Sequence, residues 1–141
     1  FNRVPDYTEK CIHFINSNNL QSQVEISEYA ANTDELINAS DVMVSGSKLE
    51  PFGRTIIEAA RFSRPIVAFA SGAYPELIEH NKTGFLAPSA DTAAMAALLK
   101  KLADTDELRT TLGTTNLKYC SERFSIDQAV DGVLRAYNDI S

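Results

Sequence analysis

The chain has 141 residues, 44% of them hydrophobic, a formal net charge of −6 and a pI near 4.8. That length gives a single domain, 1–141, and the acidity leaves no basic stripe for a phosphodiester backbone, so nucleic-acid partners are excluded. No apolar run reaches the ~20 residues that span a bilayer, and no secretory leader is visible. Cys11 and Cys120 lack CxxC spacing and any neighbouring ligand set, which argues against a metal site and fits a reduced, cytoplasmic compartment.

In chain order, 8–18 reads as a helix with Ile12 and Ile15 on its apolar side, and 24–27 as a short strand. A short helix over 33–39 is expected to be capped by Thr33. The runs 41–45 and 65–70 are apolar, rich in β-branched residues and do not alternate, the pattern of parallel strands covered on both faces. Between them lie the loop 46–52, Gly53, and a helix that sets Ile56, Ile57, Ala59 and Ala60 on one arc at about 100° per residue. Strand, loop, helix and strand make a right-handed βαβ crossover. Ligands of such sheets bind outside the carboxyl ends of the strands, which is where the loop 46–52 falls.

Downstream, a short helix is expected over 75–80. His80 would end it, where a cation suits the dipole, and Asn81 would turn the chain before Gly84. A helix over 90–103 buries Met95, Leu98, Leu99 and Leu102, and the next begins near Asp106 with Leu108 and Leu112 inward. The last starts at Ser125, where Ser125 and Gln128 fit a capping box, and carries a stripe of Ile126, Val130, Val133, Leu134 and Tyr137. The fold class is therefore α/β: a three-layer Rossmann-like domain with a mainly parallel sheet.

Glu50 and Glu58 bracket the segment richest in chemistry. They stand eight positions apart across a loop that ends at a glycine and opens a helix. A helix start offers unpaired N–H groups and partial positive charge, so it can hold a phosphate, while carboxylates accept sugar hydroxyls. The blander reading is a surface (i, i+4) pair of Arg54 with Glu58, worth a few tenths of a kcal/mol. Its basic member comes first, however, at the end where the dipole disfavours cations. Ser45, Ser47 and Thr55 have no adjacent histidine base, so a hydrolase triad is unsupported. His13 and His80 read as structural or solvated.

Three motifs follow one another here. The first is Ser47-Lys48-Leu49-Glu50-Pro51-Phe52-Gly53-Arg54-Thr55-Ile56-Ile57-Glu58-Ala59-Ala60. The second is Gly72-Ala73-Tyr74-Pro75-Glu76-Leu77-Ile78, and the third Asn81-Lys82-Thr83-Gly84-Phe85-Leu86. In this order and spacing the chain resembles retaining glycosyltransferases of family 4, from about Val24 to Tyr137. It departs from them at Gly46, where the family has proline, at Ala73, where it has a second glycine, and over 61–64. A Cβ at Ala73 is expected to restrict close backbone approach.

The resemblance implies the C-terminal, donor-binding half of a GT-B enzyme, truncated at its N-terminal side. The acceptor domain and a diphosphate-neutralising Arg and Lys pair would lie upstream of Phe1. It implies a nucleotide-diphosphate sugar as donor substrate, hexosyl transfer with retained configuration, and neither cofactor nor metal. Glu50 would be catalytic and face the donor sugar. Ser47, Phe52, Gly53, Arg54 and Thr55 would bind the donor, largely through backbone N–H groups, and Glu58 the ribose hydroxyls. The acceptor, a sugar, lipid or protein, would be held by the other domain, so the chain alone would be inactive. The parent would be cytoplasmic, with a peripheral position at the cytoplasmic membrane face open to it. Uncovered apolar surface at the N-terminal edge and along the final helix would drive self-association. The rival readings are another nucleotide-sugar enzyme of the GT-B type, epimerase-like, and a non-catalytic α/β interaction domain.

Overall fold

Three short parallel strands, β1 (Met43–Ser45), β2 (Ile66–Phe69) and β3 (Phe85–Ala87), lie in the order β1-β2-β3, with Val44 beside Val67 and Ala68 beside Leu86. The computed structural model describes residues 5–27 and 30–140, which fall into two units, Phe1–Ala31 and Asn32–Ser141.

In the second unit the helices are α2 (Thr33–Ala39), α3 (Arg54–Arg61), α4 (Tyr74–Leu77), α5 (Thr92–Ala103), α6 (Asp106–Arg123) and α7 (Ile126–Asn138); α1 (Pro5–Ser17) belongs to the first. β2 is buried along its whole length, and its alternate side chains enter two different cores. Ile66 and Ala68 pack with Ile56 and Ala59 of α3 and with Tyr74 and Leu77. Val67 and Phe69 pack with Phe85, Met95, Leu102 and Leu112 on the opposite face. Helices therefore cover both faces of the sheet, as the non-alternating sequence of β2 requires.

α6 presses on the turn that joins α3 to β2. The buried Asn116 donates to the Arg64 carbonyl at 3.4 Å, and a Cβ on Gly113 would lie 1.9 Å from the Ser63 carbonyl oxygen. Only glycine fits there.

Several boundaries differ from the sequence expectation. The cap of α2 is Asn32, whose side chain accepts from Glu35 N–H, so Thr33 is the first helical residue. α4 ends at Leu77, short of His80; instead His80 Nδ1 accepts from Leu86 N–H at 3.0 Å and helps to order β3. Asn81 turns the chain as expected, at φ 66°, with its N–H on the Gly84 carbonyl. β3 itself was not anticipated; three residues between Gly84 and Pro88 carry no periodicity to read. Ser125 caps α7 by accepting from Gln128 N–H.

In the first unit α1 begins three residues earlier than expected, and Val24 N–H bonds the Leu20 carbonyl. The segment 24–27 is not a strand, because it has no ladder partner among the described residues. The side chains of Cys11, Phe14, Leu20 and Val24 instead line an apolar cavity of about 570 Å³.

No residue of α7 is buried, and its apolar stripe is open, with Ile126 at 82% and Tyr137 at 70% exposure. No helix among the described residues is long and apolar enough to cross a membrane.

Candidate functional site

Because all three strands run parallel, the loops after β1 and β2 emerge at the same end of the sheet. They are stitched together there. Ser71 Oγ–H donates to the Ser47 carbonyl, and Ala73 N–H donates to the Glu50 carbonyl, both at 2.9 Å. The approach is close enough to demand glycine at residue 72. Gly72 has φ +54°, and a Cβ on it would lie 2.2 Å from the Glu50 carbonyl oxygen. The restriction expected at Ala73 thus falls one residue earlier, and Ala73 itself adopts an ordinary φ of −75°.

Glu50 is held from three directions. Its backbone carbonyl takes the Ala73 bond, Oε1 accepts from Gly53 N–H at 2.9 Å, and Oε2 accepts from the Tyr74 hydroxyl at 3.3 Å. A carboxylate offers about four acceptor directions. Two are used within the protein, and two are left for a ligand hydroxyl. Glu50 also lines an open cleft of about 540 Å³, together with Pro51, Phe52, Gly72, Ala73, Glu76 and Phe124.

Gly53 is the N-cap of α3, at φ +82°, with no side-chain cap bond of its own. The cap function passes back to Glu50, three residues earlier. The first turn of α3 contains no acidic residue, so the partial positive charge of the helix start is unneutralised from within. Arg54 and Thr55 are exposed. Arg54 Nη2 reaches Glu58 Oε1 at 3.4 Å, so the plain surface pair does form, with the Glu58 side chain 34% exposed.

Tyr74 is the residue that sequence reasoning missed. It sits within the second motif, but its partners are 24 and 29 positions away. Its ring is 1% exposed, and its hydroxyl pairs with both Ser45 Oγ and Glu50. Burial, and after it the negative charge of Glu50, raises the phenol above its usual value of 10.0, partly offset by the Ser45 and Thr55 hydroxyls. The available signal was modest: a tyrosine beside apolar core positions needs a partner for its hydroxyl.

The structure therefore brings Ser47, Glu50, Phe52 and Gly53 to one strand end, with Arg54, Thr55 and Glu58 on the opening turns of the adjoining helix. Of these, Glu50 and Phe52 line the cleft, and Ser47, Gly53, Arg54, Thr55 and Glu58 do not. No cluster of three or more His, Cys, Asp or Glu side chains suited to a metal occurs among the described residues.

Such a molecule is a doubly covered parallel α/β domain whose glutamate-bearing loop and helix start share the carboxyl end of the sheet. The family of glycosyl transferases group 1 matches residues 5–119, and the chain belongs to it. The N-acetyl-alpha-D-glucosaminyl L-malate synthase of Bacillus anthracis is 30% identical over 109 residues, 77% of this chain and 29% of that protein. Among solved structures, Anabaena Alr3699/HepE in complex with UDP superimposes with a TM-score of 0.90 at 25% identity, over 95% of this chain and 37% of that one. TarM of S. aureus, solved with fondaparinux, alpha-GlcNAc-glycerol and UDP, gives a TM-score of 0.84 at 27% identity, over 92% and 27% of the two chains. The architecture is that of GT-B glycosyltransferases. The chain spans between about a fifth and a third of the length of the curated relatives it matches.

Proposed function

We propose that this chain is the C-terminal, donor-binding part of a retaining glycosyltransferase of family 4, and that it holds a nucleotide-diphosphate sugar at the carboxyl ends of β1 and β2. The observation that carries this reading is the fixed Glu50, anchored by Gly53 N–H and Tyr74 at the mouth of α3, with two acceptor directions left over. Glu50 faces the donor sugar and is the catalytic carboxylate. Ser47, Phe52, Gly53, Arg54 and Thr55 border the donor, and the N–H groups at the start of α3 face its diphosphate. Glu58, one turn further, accepts from the ribose hydroxyls. No metal or cofactor is assigned.

UDP in the HepE and TarM complexes supports a uridine donor. The acceptor, whether sugar, lipid or protein, is held by the other part of the parent. A displacement depends on holding both substrates, so the chain alone turns over no donor. The free thiols of Cys11 and Cys120 support a cytoplasmic setting.

Calorimetry with UDP tests the assignment through Glu58→Gln. A hydrogen bond to a charged acceptor is worth about 1.5–3 kcal/mol, so affinity should fall tenfold or more without loss of fold. Equal affinity in variant and parent rules out the ribose role.

A further inference from the structure

We propose that Tyr74 is a positioning residue for transfer: its hydroxyl, driven from behind by Ser45, fixes Glu50 in one orientation before the donor arrives. The inference rests on the reading of Glu50 as the carboxylate that faces the donor sugar. Tyr74 does not line the cleft, so it acts through Glu50.

The direction of the protons follows from elementary counting. An ionised carboxylate only accepts, so the Tyr74 O–H donates to Glu50 Oε2. A phenol has one proton, so toward Ser45 it is the acceptor, and Ser45 Oγ–H donates to Tyr74. The relay therefore runs in one sense, from the last residue of β1 through Tyr74 to Glu50, and each bond polarises the next.

Geometry adds to this. Glu50 Oε1 is already held by Gly53 N–H and its carbonyl by Ala73 N–H, both at 2.9 Å. With Oε2 also bound, little torsional freedom is left to a side chain that otherwise loses much of it on ordering. Tyr74 in turn cannot drift. Its ring is buried against α3 and β2, and its own N–H bonds the Ser71 carbonyl at 3.2 Å. A carboxylate locked in this way is preorganised for charge that develops at the donor carbon.

Tyr74→Phe removes one oxygen and keeps the ring, so the packing survives. The first measurement needs no donor. In the chain labelled at glutamate side-chain carboxyl carbons, Glu50 is assigned by the signal lost in Glu50→Gln, and the position of its signal at one fixed pH is compared in the parent and in Tyr74→Phe. Loss of the Tyr74 hydrogen bond at Oε2 should displace the Glu50 carboxyl signal. Ser45→Ala should move it the same way by less.

The second measurement uses the full-length enzyme with UDP-glucose as probe. Tyr74→Phe should lower kcat about 10- to 100-fold with KM within about twofold, the scale expected of a misplaced catalytic group. In a Glu50→Gln background it should add nothing. An unmoved Glu50 carboxyl signal, or an equal loss of turnover in the Glu50→Gln background, overturns the proposal. If Glu50→Gln leaves turnover intact while the carboxyl signal does move, the Tyr74–Glu50 link stands and the donor-site reading is what fails.

Discussion

Gly72→Ala should damage the fold and the site together, and the size of the effect can be worked out from the geometry. Residue 72 sits at φ +54°, where an L side chain costs about 1–2 kcal/mol. The new methyl would also lie 2.2 Å from the Glu50 carbonyl oxygen and 2.7 Å from its nitrogen. Both are backbone atoms, and the loop that carries them is already tied by the Ala73 and Ser71 hydrogen bonds. Relief requires the two loops to part, which sacrifices the Ala73-to-Glu50 bond and the registry of the carboxylate. Overpacking of this kind costs about 1–3 kcal/mol, and a lost hydrogen bond about 0.5–1.5. These terms overlap, so a net loss of roughly 3 kcal/mol is expected, a large share of the 5–15 kcal/mol that holds a typical domain. With a urea slope of about 1.5 kcal/mol per molar, the midpoint should fall by about 2 M. Gly132→Ala is the matched control, since a methyl there meets nothing within 4 Å and replaces a helical glycine, which should be neutral or slightly stabilising. A Gly72→Ala protein with the parent's urea midpoint and UDP affinity would refute the claim that the two loops are locked at this point.

Two further outcomes are expected. Burial raises the Cys120 thiol from 9.0 to about 11, so the unfolded chain sheds this proton first; the contribution of this group is constant below pH 9 and falls by about 3 kcal/mol between pH 9 and 11. Tyr74, raised above 10.0, adds to the alkaline loss, and in urea melts Cys120→Ala should show a shallower decline over pH 9–11 than the parent. The exposed stripe of α7 should make the chain self-associate, so its sedimentation-average mass should rise with concentration and return to the monomer in Leu134→Lys; a monomer at all concentrations would contradict this.

Much of the central unit was legible because its signals are local. The β-branched, non-alternating run of β2 demanded cover on both faces, and the periodicity of Ile56, Ala59 and Ala60 gave α3 its buried side. Both glutamates could be placed for the same reason, since a glycine before a helix announces where the helix opens. What escaped the sequence depends on partners far along the chain. β3 exists only because β2 offers it a ladder, and 24–27 is not a strand because nothing described pairs with it. Tyr74 looks like an ordinary motif residue until Ser45 and Glu50 are folded against it. The cap of α2 moved from Thr33 to Asn32 because two good capping residues stand side by side, and only the backbone angles choose between them.

The glycine at 113 has a mechanical consequence. α3 is about 12 Å long and is braced at both ends. At its C-terminal end the turn 62–65 is pressed by Gly113 and tied by Asn116; at its N-terminal end Gly53 abuts Leu77 and Tyr74. A rod held in this way cannot slide along its axis to follow a ligand. It behaves as a fixed strut, and whatever adjusts to a nucleotide must be the side chains around its mouth. The same stiffness works in reverse: a bulkier residue at 113 would push on one end of the rod and displace Glu58 and Gly53 near the other. Position 113, at the opposite end of α3 from the glutamate loop, is thus a remote lever on the site.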